Sequence, residues 1–543
     1  MTSTSTTRGG ELGTFAPLSV PTFRTIWLAS LVTNIGALIQ AVGSAWIMAE
    51  IATPDMVAMV QAATFLPLAL LAIPAGAFAD MYDRRKTQMA AICVAMIGAT
   101  ALTGLSLAHA ITPWGLLGMC FFIGCGMALF GPAWQSSPGE QVPPALLPQA
   151  VALNGISYNV ARSFGPAIGG IIVATAGVSA AFAANVVCYV PILLALAMWR
   201  RPRIPTRLPP EQLARAMMSG MRYIVHMQPV RTAISRSLVI GVLGAALLSL
   251  MPLIARAMPG ATARTFGIML GCFGAGAVGA IFILQRLRRM GNERLVRICS
   301  MALGACVGLL AISQNLPLSA ALLFVAGGVW MVQVSTVSIA VQLFVPRWVT
   351  GRVVASLNAT IAGGIAIGAI FWGQLAQQHG TPFALLVAAG LLAMAPLLGR
   401  FLPLADRALA ATSLEEPLED PEVTLDVNGR SGPIVIEVDY LIPADSAREF
   451  YDRMRTIRRI RVRTGAFSWS LSRDLNDAEH WRERYNLPTW NDYLRQRNRC
   501  TEEEMVMQRS LHDLLIEGAD IFVHRRLERP FGSVRWRTDS PDA

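Results

Sequence analysis

As far as about residue 404, apolar residues run in long stretches separated by short polar connections. One bilayer crossing takes about 20 apolar residues in a helix. Twelve such runs can be drawn: 23–48, 56–80, 88–108, 114–137, 149–175, 179–199, 232–256, 264–286, 294–313, 318–342, 352–377 and 382–402. Isolated Gly and Pro inside them are tolerated in membrane helices, because neighbours satisfy the freed backbone groups. Beyond Thr412 the pattern changes, and Leu414–Val427 reads as an acidic linker. Pro433–Leu441 then reads as a strand, and Ala444–Arg461 as a helix with Phe450, Met454 and Ile457 on one face. Ala466–Leu475 alternates, with Phe467, Trp469 and Leu471 on one side; His480–Asn486 is a short strand, Trp490–Gln508 a helix and Asp520–Leu527 a closing strand. The order βαββαβ predicts a ferredoxin-like sandwich.

The expected fold is thus an all-α polytopic membrane protein of 12 transmembrane helices in two six-helix halves, plus a small C-terminal α+β ferredoxin-like domain. The segments are an N-terminal tail (1–22), a first half (23–200), a linker (201–231), a second half (232–405), a second linker (406–431), the α+β domain (432–530) and a C-terminal tail (531–543).

Charge sharpens this picture. Only 15% of the residues are charged, against about 25% in a soluble domain. From Phe23 to Leu404 the acids are Glu50, Asp55, Asp80, Asp83, Glu140, Glu211 and Glu293. The net charge of +11 does not read as nucleic-acid binding, because the arginines of this part sit between apolar runs; membrane lipids are the expected partner instead. Arginines gather in alternate connections: Arg84 and Arg85 with Lys86, then Arg200 to Arg222, Arg286 to Arg289, Arg347 and Arg352, and Arg400. The connections near 50–55, 109–113, 176–179, 314–317 and 378–381 hold no Arg or Lys, and only Arg256 and Arg264 break the alternation. Arginine is retained on the cytoplasmic side, which places both termini in the cytoplasm of a multi-pass inner-membrane protein. Met1–Gly10 is polar and Ser/Thr-rich, without the apolar core of a cleavable signal. Seven of the eight cysteines lie in apolar runs and no C-x-x-C pair occurs, so they read as small buried hydrophobes.

The halves also resemble each other. Val142-Pro143 before Leu153-Asn154 recurs as Val345-Pro346 before Leu357-Asn358, offset by 203 and then 204 residues, and Gly76…Arg85 recurs as Gly279…Arg288 at 203. A repeat of six spans per half is a parallel duplication about an axis normal to the membrane. Between the halves, several prolines precede an amphipathic stretch at Leu213–His226, expected as a surface helix with a basic, lipid-facing side.

Gly76-Ala-Phe-Ala-Asp80-Met-Tyr-Asp83-Arg84-Arg85-Lys86 lies between the second and third runs. It resembles the cytoplasmic signature of the major facilitator superfamily, with Asp83 where the general pattern has a second Gly. That departure resembles the branch holding the enterobactin exporter and macrolide efflux proteins, the transmembrane secretion effector-like group. Arg162-Ser-Phe-Gly165-Pro166-Ala-Ile-Gly169-Gly170 resembles the fifth-span signature of drug and metabolite antiporters. The resemblance covers about residues 15–405. It implies a secondary transporter, not an enzyme, that exports a small amphipathic molecule such as a siderophore, drug or secondary metabolite in exchange for protons by alternating access. An importer on the same scaffold is a competing reading. No Walker-type G-x-x-x-x-G-K-[ST] suggests a primary pump, and no cofactor or metal site is expected.

Physical chemistry gives these residues expected tasks. Gly76 allows close helix approach. Asp80 accepts from Arg84 or Arg85, or faces a helix N-terminus in the other half. Gly165-Pro166 and Gly169-Gly170 are expected to bend and thin the fifth span so that it packs against the other half, with ordinary small-residue packing as the alternative reading. Arg162 lies well inside that span, where an arginine is costly and faces a cavity or a partner; a gating charge, a substrate contact and a misplaced boundary are all open readings. Its candidate partners are Glu140, Asn154, Tyr158 and Asn159. Proton coupling, which the resemblance implies, needs a titratable group; Glu50 is the one acid near the outer end of a span and is the candidate proton site, with an exposed helix-end acid as the alternative reading. The candidate cavity-lining residues are Asn34, Gln40, Gln61, Trp134, Asn154, Tyr158, Gln333, Asn358 and Gln374. Interhelical hydrogen bonding is the alternative for most of them. A neutral cavity of this kind suits an amphipathic substrate.

Trp490-Asn-Asp-Tyr-Leu494-Arg-Gln-Arg-Asn498-Arg is similar to the helix in tail domains of this branch. The tail also resembles small ferredoxin-like monooxygenases that pair into dimers, which implies a tail-mediated dimer and a third reading, a membrane-tethered ligand-binding or monooxygenase-like domain. His480, His512 and His524 are scattered in sequence, without metal-ligand spacing. The arginines from Arg453 to Arg463 read as a solvated or membrane-facing helix side.

Overall fold

A computed structural model describes residues 15–200, 213–404, 421–425, 427–499 and 502–528. In chain order the helices are α1 (Pro21–Ile51), α2 (Pro54–Met81), α3 (Arg84–Leu107), α4 (Pro113–Ser136), α5 (Pro138–Gln141), α6 (Leu147–Met198), α7 (Leu213–His226), α8 (Gln228–Arg256), α9 (Ala263–Leu287), α10 (Asn292–Ile312), α11 (Leu316–Phe344), α12 (Arg347–His379), α13 (Thr381–Met394) and α14 (Leu398–Phe401). The tail adds β1 (Ile434–Leu441), α15 (Ala447–Thr464), β2 (Phe467–Arg473), β3 (His480–Leu487), α16 (Trp490–Asn498), α17 (Glu502–Arg509) and β4 (Phe522–Leu527).

Local sequence sets the helix starts. Proline opens α1, α2 and α4, where its missing N–H goes unneeded. Asp83 caps α3 by accepting from the backbone N–H groups of Arg85 (3.0 Å) and Lys86 (3.3 Å), and Thr112 caps α4 through Gly115 N (3.1 Å).

Eleven helices among the described residues are long and apolar enough to cross a membrane, where twelve runs were expected. The difference lies in α6, whose 52 residues contain both the fifth and sixth runs. An unbroken helix of that length would extend roughly 78 Å, far beyond a hydrocarbon core of about 30 Å. Gly177 breaks it with φ 82° and ψ 172°, a backbone conformation that only glycine adopts without cost. Both recurring segments fall at matching connections. Asp83–Arg85 leads from α2 into α3 as Arg288 leads from α9 into α10, and Pro143 precedes α6 as Pro346 precedes α12.

The described residues form two compact units. One comprises the described residues within 1–205, 232–340 and 354–406; the other comprises those within 206–231, 341–353 and 407–543. In the first, α1, α3, α4 and α6 share a core of Ile26, Ala91, Ile92, Ala95, Phe130, Tyr189 and Ile192. Its outward side chains include Ile97, Phe164, Val187, Phe282 and Phe371, an apolar exterior suited to lipid.

In the second unit the four strands form one antiparallel sheet in the order β2-β3-β1-β4. Phe450, Met454 and Ile457 of α15 pack on Ile434, Ile436, Val438 and Tyr440 of β1. The βαββαβ order is as expected, with two departures. The helix expected over 490–508 is two helices, α16 and α17. Phe467 is exposed and does not share a side with Trp469 and Leu471, because the β2–β3 register shifts between Phe467 and Ser470 and Ser468 takes φ 52°. Such a bulge turns the preceding side chain off its alternation.

The tail core carries one fully buried carboxylate. Glu483 accepts from Trp469 Nε1 (2.8 Å), Tyr440 Oη (3.0 Å) and Arg461 Nε (3.3 Å). Burial, with the Glu483 charge adding to it, pushes the Tyr440 hydroxyl well above its ordinary range. In the same unit the amphipathic stretch at 213–226 forms a helix as expected, but its Tyr223 is covered by the tail. Arg463 of α15 lies over the Tyr223 ring at 5.3 Å and ion-pairs with Glu504. Burial drives the Tyr223 hydroxyl up to about 12, with the Arg463 charge pulling the other way.

Removing one member of a buried charged set costs about 3–5 kcal/mol. Glu483→Ala is therefore expected to melt the tail while the apolar helices stay folded. Limited proteolysis of the full-length protein reads this out: the tail should be digested first, and undiminished resistance would show that Glu483 is dispensable.

Candidate functional site

The charged segment after α2 is built differently from its expected form. Asp83 is a helix cap, as described above. Arg84 reaches α5, where Nη1 bonds Glu140 Oε1 at 2.9 Å, and also donates to the Ser136 carbonyl at 3.0 Å. Arg85 donates to the Ala197 carbonyl near the end of α6 at 2.7 Å. Asp80 lies in the last turn of α2, and its side chain is outside the described residues. A Cβ at Gly76 would meet nothing within 4 Å among the described residues, so the expected close approach is not seen there.

The close approach occurs along α6 instead. Gly165 lies against Leu38 and Ile35 of α1, and Gly169 against Ile39 and Val42. Gly170 meets α9, where an added Cβ would sit 2.8 Å from both Gly267 Cα and the Ala263 carbonyl oxygen. The Pro166 carbonyl is 2.7 Å from where a Gly267 Cβ would stand. One turn earlier, the Arg162 backbone carbonyl abuts Gly274. Its guanidinium takes none of the four expected partners and lies over the Phe273 ring of α9 at 5.2 Å. Glu140 is engaged by Arg84, and Asn159 donates to Gly155 O at 2.8 Å. An aromatic face is a sound partner for a guanidinium where carboxylates are scarce.

The expected cavity residues lie in different settings. Gln40 of α1 accepts from Asn185 of α6, and Gln333 of α11 donates to Ser300 of α10 at 2.8 Å. Both are buried interhelical bonds, and Gln333 also borders a small cavity. Trp134 stacks on Phe130 at 5.5 Å. The Asn154 side-chain oxygen is buried without a hydrogen-bond partner. Asn34 and Gln61 are half-buried; Tyr158, Asn358, Gln374 and Glu50 are exposed. A cavity of about 20 Å³ lies among Arg236, Ser300, Gln333 and apolar neighbours, room for a water and not for a substrate.

Sequence reasoning missed the most buried charge cluster among the described residues of this unit. Arg236 of α8 is 4% exposed. It ion-pairs with Glu293 of α10 and donates to the Leu402 carbonyl at 3.2 Å. Glu293 also accepts from Arg297 Nε (2.8 Å) and from Leu404 N (3.0 Å). One carboxylate thus ties α8, α10 and the chain beyond α14 together. The available signal was that Glu293 is the one acid between residues 232 and 404.

The tail also gathers residues that are distant in sequence. His480 Nε2 and His524 Nε2 lie 3.2 and 3.3 Å from the two Asp439 oxygens, so these two histidines are neighbours across β3-β1-β4 rather than scattered. Burial opposes the Asp439 charge, but Arg482 (2.6 Å) and His480 outweigh it and hold the carboxyl below its usual range. His512 sits exposed on a separate turn. No group of three or more His, Cys, Asp or Glu among the described residues is arranged to hold a metal ion.

A model of the family described as transmembrane secretion effector matches residues 12–530, through the tail sheet. The chain belongs to that family. It is a membrane transporter of the major facilitator type. The chain is similar to the multidrug efflux pump Tap of Mycobacterium tuberculosis, 24% identical over 394 residues, which cover 68% of this chain and 92% of Tap. The Tap protein of Mycolicibacterium fortuitum is 23% identical over 365 residues, covering 65% of this chain and 89% of the relative. Among solved structures, a bacterial homologue of the human lysosomal transporter Spinster, inward-facing and unoccupied, matches with a TM-score of 0.56 at 14% identity. The match covers 70% of this chain and 97% of that one. A POT family transporter in complex with a thioalcohol-conjugated peptide matches with a TM-score of 0.57 at 12% identity, over 70% of this chain and 95% of that one. At these identities the structural likeness shows the fold alone.

Arg236→Ala leaves Glu293 without its most buried partner and is expected to cost about 3–5 kcal/mol. Arg297→Ala, at a side chain 41% exposed, should cost under about 1 kcal/mol. Thermal unfolding of the purified variants in one detergent ranks them, and equal losses would contradict the assignment of Arg236 as the buried anchor.

Proposed function

We propose that this transporter exports small amphipathic molecules, of the siderophore, drug or secondary-metabolite class, by alternating access across the inner membrane in exchange for protons. The observation that carries the reading is the glycine-lined contact of α6 with α1 on one side and α9 on the other. Gly170 and Gly267 are close enough there to act as a bearing between a helix of the first half and one of the second. Arg162 over Phe273 is a cationic latch at the same seam. The likeness to proteins named multidrug efflux pumps supports export over import. In this reading α6 crosses the membrane twice about Gly177, which gives twelve crossings and places both termini in the cytoplasm, in keeping with the arginine alternation. Asp80 completes the gate with Arg84 and Arg85, and Glu50 is the proton site.

Export is tested by the accumulation of fluorescent dyes, antibiotics and catechol siderophores in cells with and without the protein, repeated with a protonophore. Lower accumulation that the protonophore abolishes is the expected result; higher accumulation would instead mean import. Asp80→Asn, Arg162→Ala and Gly170→Leu should each lower export about tenfold, the scale of a typical conformational coupling, with membrane insertion intact. Normal export in all three would remove the gate from the mechanism.

A further inference from the structure

The second compact unit holds a cleft of about 680 Å³ between α7 and α15, lined by His226, Arg455, Arg458, Arg459 and Val462. The α15 positions fall at i, i+3, i+4 and i+7, one stripe of the helix. Phe450, Met454 and Ile457 occupy the stripe that is buried in the sheet core. The arginines are therefore not spaced by packing demands and face the cleft together.

Their charge is barely compensated. The Arg455–Asp452 contact is 4.0 Å, between two largely exposed side chains. Arg459 donates to Thr456 Oγ1 at 3.1 Å. Arg458 lies over the Trp469 ring at 5.6 Å, which fixes its guanidinium without neutralising it. His226 donates from Nδ1 to the Arg222 carbonyl at 2.8 Å. Among the described residues neither Arg458 nor Arg459 has a carboxylate partner. Like charges at these helical spacings repel one another, and a bound anion relieves the repulsion. A guanidinium presents a planar fork that matches phosphate oxygens two at a time. The cleft is also in the size range of small-molecule sites.

We propose that this cleft is a binding site for a phosphate-bearing anion, held by Arg455, Arg458 and Arg459. The phosphate belongs either to a lipid headgroup or to a soluble phosphate compound. Because His226 belongs to the segment between the two six-helix halves and the arginines to the tail, the ligand bridges those two elements.

The test uses the full-length protein in nanodiscs. Calorimetric titration with pyrophosphate in phosphatidylcholine nanodiscs reads out a soluble ligand. Native mass spectrometry after reconstitution in mixed phosphatidylcholine and phosphatidylglycerol reads out a retained lipid. One of the two probes should bind the wild-type protein at least about tenfold more tightly than the Arg458→Ala/Arg459→Ala double variant. Arg458→Lys/Arg459→Lys, which keeps the charge but loses the fork, should fall between them and guards against misfolding of the alanine variant. Pyrophosphate binding assigns a soluble phosphate; phosphatidylglycerol retention alone assigns a headgroup. Failure of the wild-type protein to bind either probe, or equal binding by all three proteins, overturns the site.

Discussion

Between two helices in lipid there is no water to expel, so association depends on how near their backbones can come. The rest of the helical unit follows from that constraint at α6 and α9. Gly170 and Gly267 bring the two backbones together where any side chain would force them apart. Once they are that close, the Arg162 carbonyl abuts Gly274 one turn away and its guanidinium falls over Phe273. The opposite side of α9 is equally bare, with Gly276 against the Phe324 backbone and Gly327 of α11 against the Phe273 backbone. One helix is thus held by small residues on two sides, with little side-chain interdigitation to resist sliding.

Charges do their work at the helix ends. With so few acids in this part of the chain, two of them tie together segments far apart in sequence. Glu140 draws α3 onto α5 through Arg84, and Glu293 draws α8 and the chain past α14 onto α10. Buried pairs of this kind specify geometry more than they add stability, since desolvation offsets much of their attraction.

What the sequence revealed follows a physical boundary. Span positions, the Leu213–His226 helix, the strand order of the tail and the matching connections of the two halves were legible, because hydropathy and periodicity are local signals. Partnerships were not. Arg162 was assigned polar partners by proximity along the chain, whereas Phe273 reaches it only through helix packing. Arg236 meets Glu293 only in the folded chain, 57 residues away in sequence. Gly76 carries a familiar signature, yet a Cβ there would meet open space among the described residues. Gln40 and Gln333 turned out to be interhelical bonds, an alternative that composition alone does not decide. The Phe467 bulge needed a backbone angle at Ser468 that alternation conceals.

The contact between Tyr223 and Arg463 also fixes an order of events during synthesis. The two residues are 240 positions apart in the chain. At translation rates of about 5–20 residues per second, the ribosome takes on the order of 10–50 s to pass from one to the other. Throughout that interval the ring that α15 will cover stands open while six further apolar runs emerge and insert. The nascent chain therefore passes through a stage in which its helices are made but the Tyr223 ring lacks its α15 cover, and a membrane surface or a chaperone is what can shield that ring until the last quarter of the polypeptide arrives.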